Sequence, residues 1–198
     1  MRGVRSLGAS ALVGSIVLAG CAGSTVLYNQ RVNSRYSPTE FGVAAGRKDL
    51  RTVVHGDPFG MGNEPFVTAT VATLNRYQPP PQPTHFTTEP GEDANPFYRV
   101  VLVFDAPDLP NFQACQESLP EAAQQPPGEA DGTLYVVAAF CLNQAELTAV
   151  NGKIADVAGV DDPKFDRLLG QIVLALFPPF DPNDDRRRKR FLMAGRSA

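Results

Sequence analysis

The feature that most constrains the fold is a pair of strand-like runs that are apolar on both of their alternating faces. Residues 97–104 are apolar on both faces from Val100 onward, and residues 133–141 are rich in β-branched and aromatic side chains. A strand with two apolar faces has to be covered on both sides. We therefore expect these two runs to form the middle of a covered sheet.

Shorter patterns predict further elements around this sheet. β-Branched residues indicate a strand over 50–55, and residues 85–88 can pair as a short strand. Asn63 can serve as the N-cap of a helix whose apolar residues recur at helical spacing as far as Tyr77. Val67, Ala69 and Val71 also alternate as in a strand, but the helix is the favoured interpretation. A second helix, with a single apolar stripe, is predicted over 163–176.

The second helix has the clearest boundaries in the chain. Asp162 can cap its N-terminus, Pro163 suits the first helical position, and Pro178 and Pro179 end it. Because the elements show no strict alternation of strand and helix, they predict an α+β fold. We expect a single, mostly antiparallel sheet with two main helices packed on it and long proline-rich loops.

Residues 144–157 allow two interpretations. Asn143 and Glu146 have the spacing of a capping box, which predicts a short helix. Asn151 and Gly152 lie between two strand-like runs, a sequence typical of a tight hairpin turn. The hairpin is the favoured interpretation.

The N-terminus is organised as a secretory signal. Arg2 and Arg5 precede an uncharged, mostly apolar run over 6–19, which ends in small residues. This run is too short to cross a membrane comfortably as a permanent helix. We expect residues 1–20 to be a signal peptide that is removed on export.

The residues around the expected cleavage site are Leu18, Ala19, Gly20 and Cys21. This motif resembles the lipobox of bacterial lipoproteins, although an ordinary secreted protein with a chance cysteine is the alternative. The resemblance implies that Cys21 carries acyl chains such as palmitate and becomes the first residue of the mature protein. Since Ala22 rather than aspartate follows, it also implies the periplasmic face of the outer membrane.

The rest of the chain divides by composition into three parts. Residues 21–48 are polar and weakly patterned, which predicts an acylated N-terminus and a tether. Residues 49–180 hold the periodic segments and form the expected globular domain. Residues 181–198 are highly charged and predict a disordered tail.

Two cysteines remain once Cys21 is assigned to the lipid. Cys115 lies in a long proline-rich insertion, and Cys141 ends the second covered strand. An even pair in an exported protein predicts a disulfide. A catalytic thiol or a buried pair of free thiols are the alternatives.

The distribution of charge argues against a nucleic-acid partner. Residues 22–180 carry 10 basic and 18 acidic groups, a net charge of −8. An acidic body is the opposite of the basic surface that nucleic-acid binding requires. The basic run over 186–190 could contact anionic lipids or an acidic partner, or simply form a solvated end.

The residues that could support chemistry are two histidines and the carboxylates near one of them. A hydrolytic or metal site would need His55, Asp57, Glu64 and His85 to converge. The spacing gives no metalloprotease motif, no phosphate-binding loop and no nucleophile elbow. A strand-end histidine followed by an Asp-Pro turn is the favoured interpretation, because turn chemistry alone explains these residues, so we expect no catalytic site, metal or cofactor.

These observations predict a lipid-anchored, non-enzymatic binding or structural lipoprotein of the periplasm. Its partner would be the membrane itself, together with an envelope protein, a lipid or peptidoglycan. The first alternative is an envelope hydrolase that uses the loop of His55, Asp57 and Glu64. The second is a carrier of a small apolar ligand, which would need an apolar cavity between the helices and the sheet.

Overall fold

One six-stranded sheet with three helices forms the protein, seen in a computed structural model that describes residues 24–79, 82–119 and 132–179. The elements along the chain are β1 (Val26–Val32), α1 (Pro38–Ala45), β2 (Asp49–His55), α2 (Asn63–Leu74), β3 (His85–Thr87), β4 (Tyr98–Phe104), a 3₁₀ helix (Asn111–Cys115), β5 (Thr133–Leu142), β6 (Ala145–Ala155) and α3 (Pro163–Leu176). The predicted α+β class is confirmed.

The sheet is mixed, so the prediction of a mostly antiparallel sheet is wrong. Its strand order is β1-β6-β5-β4-β2-β3. β1, β6, β5 and β4 are antiparallel neighbours, whereas β2 runs parallel to both β4 and β3. The parallel pairs arise because helix α2 connects β2 to β3 and returns the chain to the same end of the sheet.

The two runs that are apolar on both faces lie where the sequence predicts. β4 and β5 are interior neighbours, paired from Tyr98 with Leu142 to Phe104 with Val136. Helices cover one face of the sheet, and the segment 105–119 packs on the other. Both faces of these strands are therefore removed from water. Burial of apolar surface is the main way in which such side chains stabilise the fold.

All three helices pack on one face, and local sequence explains two of their starts. The side chain of Ser37 caps α1 by accepting from the N–H of Glu40, and Asp162 caps α3 by accepting from the N–H of Lys164. Pro163 is the first residue of α3, as predicted. Helix α2 begins at Asn63 after Gly62, so Asn63 is not its N-cap.

Aromatic rings fill the space between the helices and the sheet. Phe41 packs against Phe177 with ring centroids 4.5 Å apart, and Phe140 lies 5.2 Å from Phe177. Farther along the same face, Phe66 meets Phe104 edge to face at 4.9 Å. Such pairs favour these offset and perpendicular geometries, so they fix how the helices sit on the sheet.

The disulfide predicted between Cys115 and Cys141 is present. It joins the end of the 3₁₀ helix to β5, on the face opposite the helices. Both cysteines are fully buried in a smaller apolar cluster with Val101, Val103 and Ala139. Residues 105–119 of the long insertion are thus held against the sheet rather than left as a free loop.

Residues 26–45, which the sequence assigns to a tether, contain regular structure. β1 pairs along β6 from Val26 with Lys153 to Val32 with Thr148, and Phe41 of α1 is fully buried. Within the described residues, regular structure therefore begins at Val26 rather than near Leu50. Its stability comes from pairing with a strand more than 100 residues away, which the local sequence pattern does not reveal.

The hairpin turn predicted at Asn151 and Gly152 lies elsewhere. β6 continues through both residues, and the turn between β5 and β6 is formed by Asn143 and Gln144. Gly152 serves packing instead, because a Cβ there would lie 2.8 Å from a methyl carbon of Leu168. No helix within 24–79, 82–119 and 132–179 is long and apolar enough to span a bilayer.

Candidate functional site

His55, Asp57 and Glu64, the candidate residues of a catalytic loop, each lie in a different local environment. His55 ends β2 and is half-buried, and this burial lowers its pKa. The carboxylate of Asp57 accepts a hydrogen bond from the N–H of Gly62 at 2.6 Å, which closes the glycine-rich loop. Glu64 is exposed in the first turn of α2, where a negative charge favours the helix N-terminus.

His85 lies at the other end of the sheet from His55. It pairs with Asp49, the first residue of β2, whereas His55 is the last residue of the same strand. Six residues of extended chain separate the two positions by about 20 Å. The four predicted residues therefore do not form one site.

The surroundings of His55 lack the partners that acid–base or metal chemistry needs. Within the described ranges its ring makes no hydrogen bond or ion pair, so no carboxylate orients it. No three His, Cys, Asp or Glu side chains in this part of the chain are grouped so that they could hold a metal ion. The geometry gives the hydrolase alternative no catalytic constellation.

A polar cleft of about 440 Å³ opens where β2 and β3 begin. The start of β2 contributes Arg47, Lys48 and Asp49, and the start of β3 contributes Thr84 and His85. The parallel pairing of these two strands creates the cleft, since it brings both of their first residues to the same end of the sheet.

A network of short bonds holds the cleft in shape. The N–H of Arg47 donates to the carbonyl of Pro83 at 2.8 Å, and the hydroxyl of Thr84 donates to the carbonyl of Lys48 at 3.0 Å. Arg47 itself adopts a left-handed backbone conformation, with φ of 58°. This conformation is uncommon for a side chain with a Cβ, and the bonds on either side maintain it.

Asp49 is the most strongly engaged carboxylate of the cleft. It accepts from the N–H of Gly91 at 2.9 Å, and its other oxygen lies 2.8 Å from Nδ1 of His85. The bond from Gly91, followed by the one from His85, holds the pKa of Asp49 below its ordinary value.

Asn75, just after α2, closes the outer edge of β3. Its amide donates to the carbonyl of Phe86 at 2.8 Å and accepts from the N–H of the same residue at 2.9 Å. These are the bonds that a neighbouring strand would make, so the side chain blocks pairing with another chain. Gln78 continues the wall, since its side chain accepts from the N–H of Thr84 at 3.2 Å.

Of the cleft residues, sequence reasoning singled out only His85. The run Arg47, Lys48, Asp49 before a strand of β-branched residues is the one local signal that could have drawn attention to this end. Residue Cys21, the predicted lipid site, lies outside the described residues, as does the tail 181–198.

Comparison with known proteins gives little further information. No family model matches the chain, and no curated protein matches it. Among solved structures it is similar to a PelC dodecamer from Paraburkholderia phytofirmans, with 10% sequence identity and a TM-score of 0.40. The similarity covers 78% of this chain and 98% of that one. At this level the similarity carries no argument about function.

Proposed function

We propose that the protein is a lipid-anchored protein of the cell envelope that works by binding rather than by catalysis. The observation that carries this proposal is the use of its three cysteines. Cys115 and Cys141 form a buried disulfide, which leaves Cys21, the lipobox cysteine, as the one cysteine outside it. A structural disulfide suits a protein that passes through an oxidising compartment.

The arrangement of the domain favours binding over the two alternatives. His55, Asp57 and Glu64 have separate structural roles, which weakens the case for a hydrolase. The space that an apolar-ligand carrier would need is occupied by packed aromatic rings such as Phe140 and Phe177. The polar cleft beside Asp49 offers a concave surface for a ligand.

The anchor can be tested with Cys21→Ala expressed in a bacterium. We expect the parent protein to incorporate labelled palmitate and to sediment with outer membranes. The variant should incorporate none and should keep the mass of the uncleaved precursor, because the thiol that accepts the lipid is missing. Ser24→Ala, three residues away, is the matched control and should behave as the parent does. Normal cleavage and membrane retention of Cys21→Ala would refute the proposal.

A further inference from the structure

The neutral polar groups around the cleft are already used within the protein. The amide of Asn75 bonds to the backbone of Phe86, the amide of Gln78 bonds to Asn75 and Thr84, and the hydroxyl of Thr84 bonds to Lys48. Most of the donors that an anionic ligand would need are therefore occupied: both N–H groups of Asn75 and the hydroxyl proton of Thr84 are bonded within the protein, which leaves one N–H of Gln78. The groups left to meet a ligand are mainly the charged side chains.

Within the described ranges, the charged side chains of the cleft that no contact neutralises are two cations, Arg47 and Lys48, and one carboxylate, Asp93, so positive charge exceeds negative by one. Arg47 and Lys48 are both exposed, and within the ranges that the structure describes neither makes an ion pair. The carboxylate of Asp49 is occupied by Gly91 and His85, as described above. Two unpaired cations of adjacent residues, one of them a guanidinium, suit a carboxylate or a phosphate.

The cleft also lies far from the point where the chain leaves toward Cys21. Val26 is at one end of β1, and Asp49 and His85 are at the opposite end of the sheet near β3, its other edge. Five interstrand spacings and the length of a strand give a diagonal of about 30 Å. Residues 21–26 span at most about 17 Å when fully extended, so Cys21 cannot reach the cleft.

We propose that this cleft binds an oxyanion, a carboxylate or phosphate group of a compact polar ligand, at the corner of the domain farthest from the membrane anchor. Arg47 and Lys48 supply the charge, and the bonds from the N–H of Arg47 to Pro83 and from the hydroxyl of Thr84 to the carbonyl of Lys48 fix the backbone that carries them. The site would take its ligand from the aqueous compartment. This orientation rests on the lipid anchor proposed above, whereas the charge recognition does not.

Charge recognition is tested by titrating the purified full-length protein with inorganic phosphate and with acetate while following its amide NMR signals. We expect the signals of residues 47–49 and 84–86 to shift and saturate. In Arg47→Gln/Lys48→Gln the dissociation constant should rise at least tenfold. Arg35→Gln removes an exposed arginine outside the cleft and should leave it unchanged. Shifts that do not saturate, or equal affinities in the parent and the double variant, would overturn the proposal.

Orientation is tested with the lipidated protein on vesicles, using added glycerol phosphate as the ligand. We expect the same affinity on phosphatidylcholine vesicles and on vesicles that also contain phosphatidylglycerol, because the proposed orientation holds the cleft away from the headgroups of its own bilayer. Competition by phosphatidylglycerol would show that the cleft faces its own membrane and would overturn the orientation. Failure to attach to either vesicle would instead count against the lipid anchor, while the NMR titration would still decide charge recognition.

Discussion

Two titratable residues at one end of the sheet have pKa values that burial shifts in opposite directions. His55 ends β2 and Asp105 follows β4, its parallel neighbour. Burial lowers the pKa of His55 and raises the pKa of Asp105, because partial exclusion of water disfavours the charged form of each group. Neither shift requires a catalytic partner, and both follow from the depth of the strand ends.

The shift of His55 predicts how stability depends on pH. As pH falls through 6.5, the unfolded chain takes up a proton on this histidine that the folded protein does not. The free energy of unfolding should therefore decrease as the pH falls from 7.5 to 5.5. In the His55→Gln variant this decrease should be smaller. Urea denaturation at several pH values measures this. His55→Leu is the control for packing, because lost packing lowers stability equally at every pH, whereas loss of the titrating group changes the slope of stability against pH. Identical slopes in the parent and both variants would contradict the prediction.

At the scale of elements, helices α2 and α3 pack closely at the point where a tyrosine side chain lies over a glycine of α3. Tyr77, just after α2, lies over Gly170 of α3, and its hydroxyl donates to the carboxylate of Asp166. Arg76 pairs with the same carboxylate at 3.1 Å. A Cβ at Gly170 would lie 2.4 Å from the ring of Tyr77, so the close approach of the two helices depends on glycine.

Gly170→Ala should therefore destabilise the protein even though alanine favours helices. The gain in helix propensity is about 1 kcal/mol, and forcing a methyl group into a packed contact costs about 1 to 3 kcal/mol. We expect a net loss of about 1 kcal/mol in the free energy of unfolding, measured by urea denaturation. Gln171→Ala, at the next and exposed position, should stay within about 0.5 kcal/mol of the parent. A more stable Gly170→Ala protein would show that the helices separate easily.

At the scale of the whole molecule, the sheet is covered by two unlike layers. Three helices and a set of packed aromatic rings cover one face. The other face is covered by the segment around the 3₁₀ helix, whose five residues offer little apolar area of their own. The disulfide between Cys115 and Cys141 links this thin layer to the sheet.

Removing the disulfide should accordingly weaken the whole domain. Its cysteines are 26 residues apart, and a closed loop of that size contributes about 3.5 kcal/mol in the chain-entropy model. Cys115→Ala/Cys141→Ala keeps apolar side chains in the cluster and should lower the free energy of unfolding by about that amount. Chemical denaturation measures the change. Cys21→Ala leaves the disulfide intact and should unfold as the parent does; equal stability of the double variant would mean that packing alone holds the layer.

Local patterns in the sequence predicted the elements that stabilise themselves or bury both faces. β4 and β5 are apolar on both of their faces. Helix α3 has its N-cap residue, its apolar stripe and its terminating prolines within one short segment. The pairing of Cys115 with Cys141 followed from the number of cysteines left after Cys21. The conformation of such residues depends on a few neighbours in the sequence, so it could be predicted without knowledge of the rest of the chain.

Only the tertiary structure decided which distant segments meet. No residue of β1 is fully buried, and the strand exists because β6 pairs with it. β6 runs straight through Asn151 and Gly152 because β5 pairs with it there. The parallel register of β2 and β3 placed His85 beside Asp49 and about 20 Å from His55. The sequence by itself thus determined the central strands and the last helix of the fold, and the membrane anchor at Cys21 stays a prediction from the sequence. The site depended on strand order and register, which are set by contacts between residues far apart in the chain.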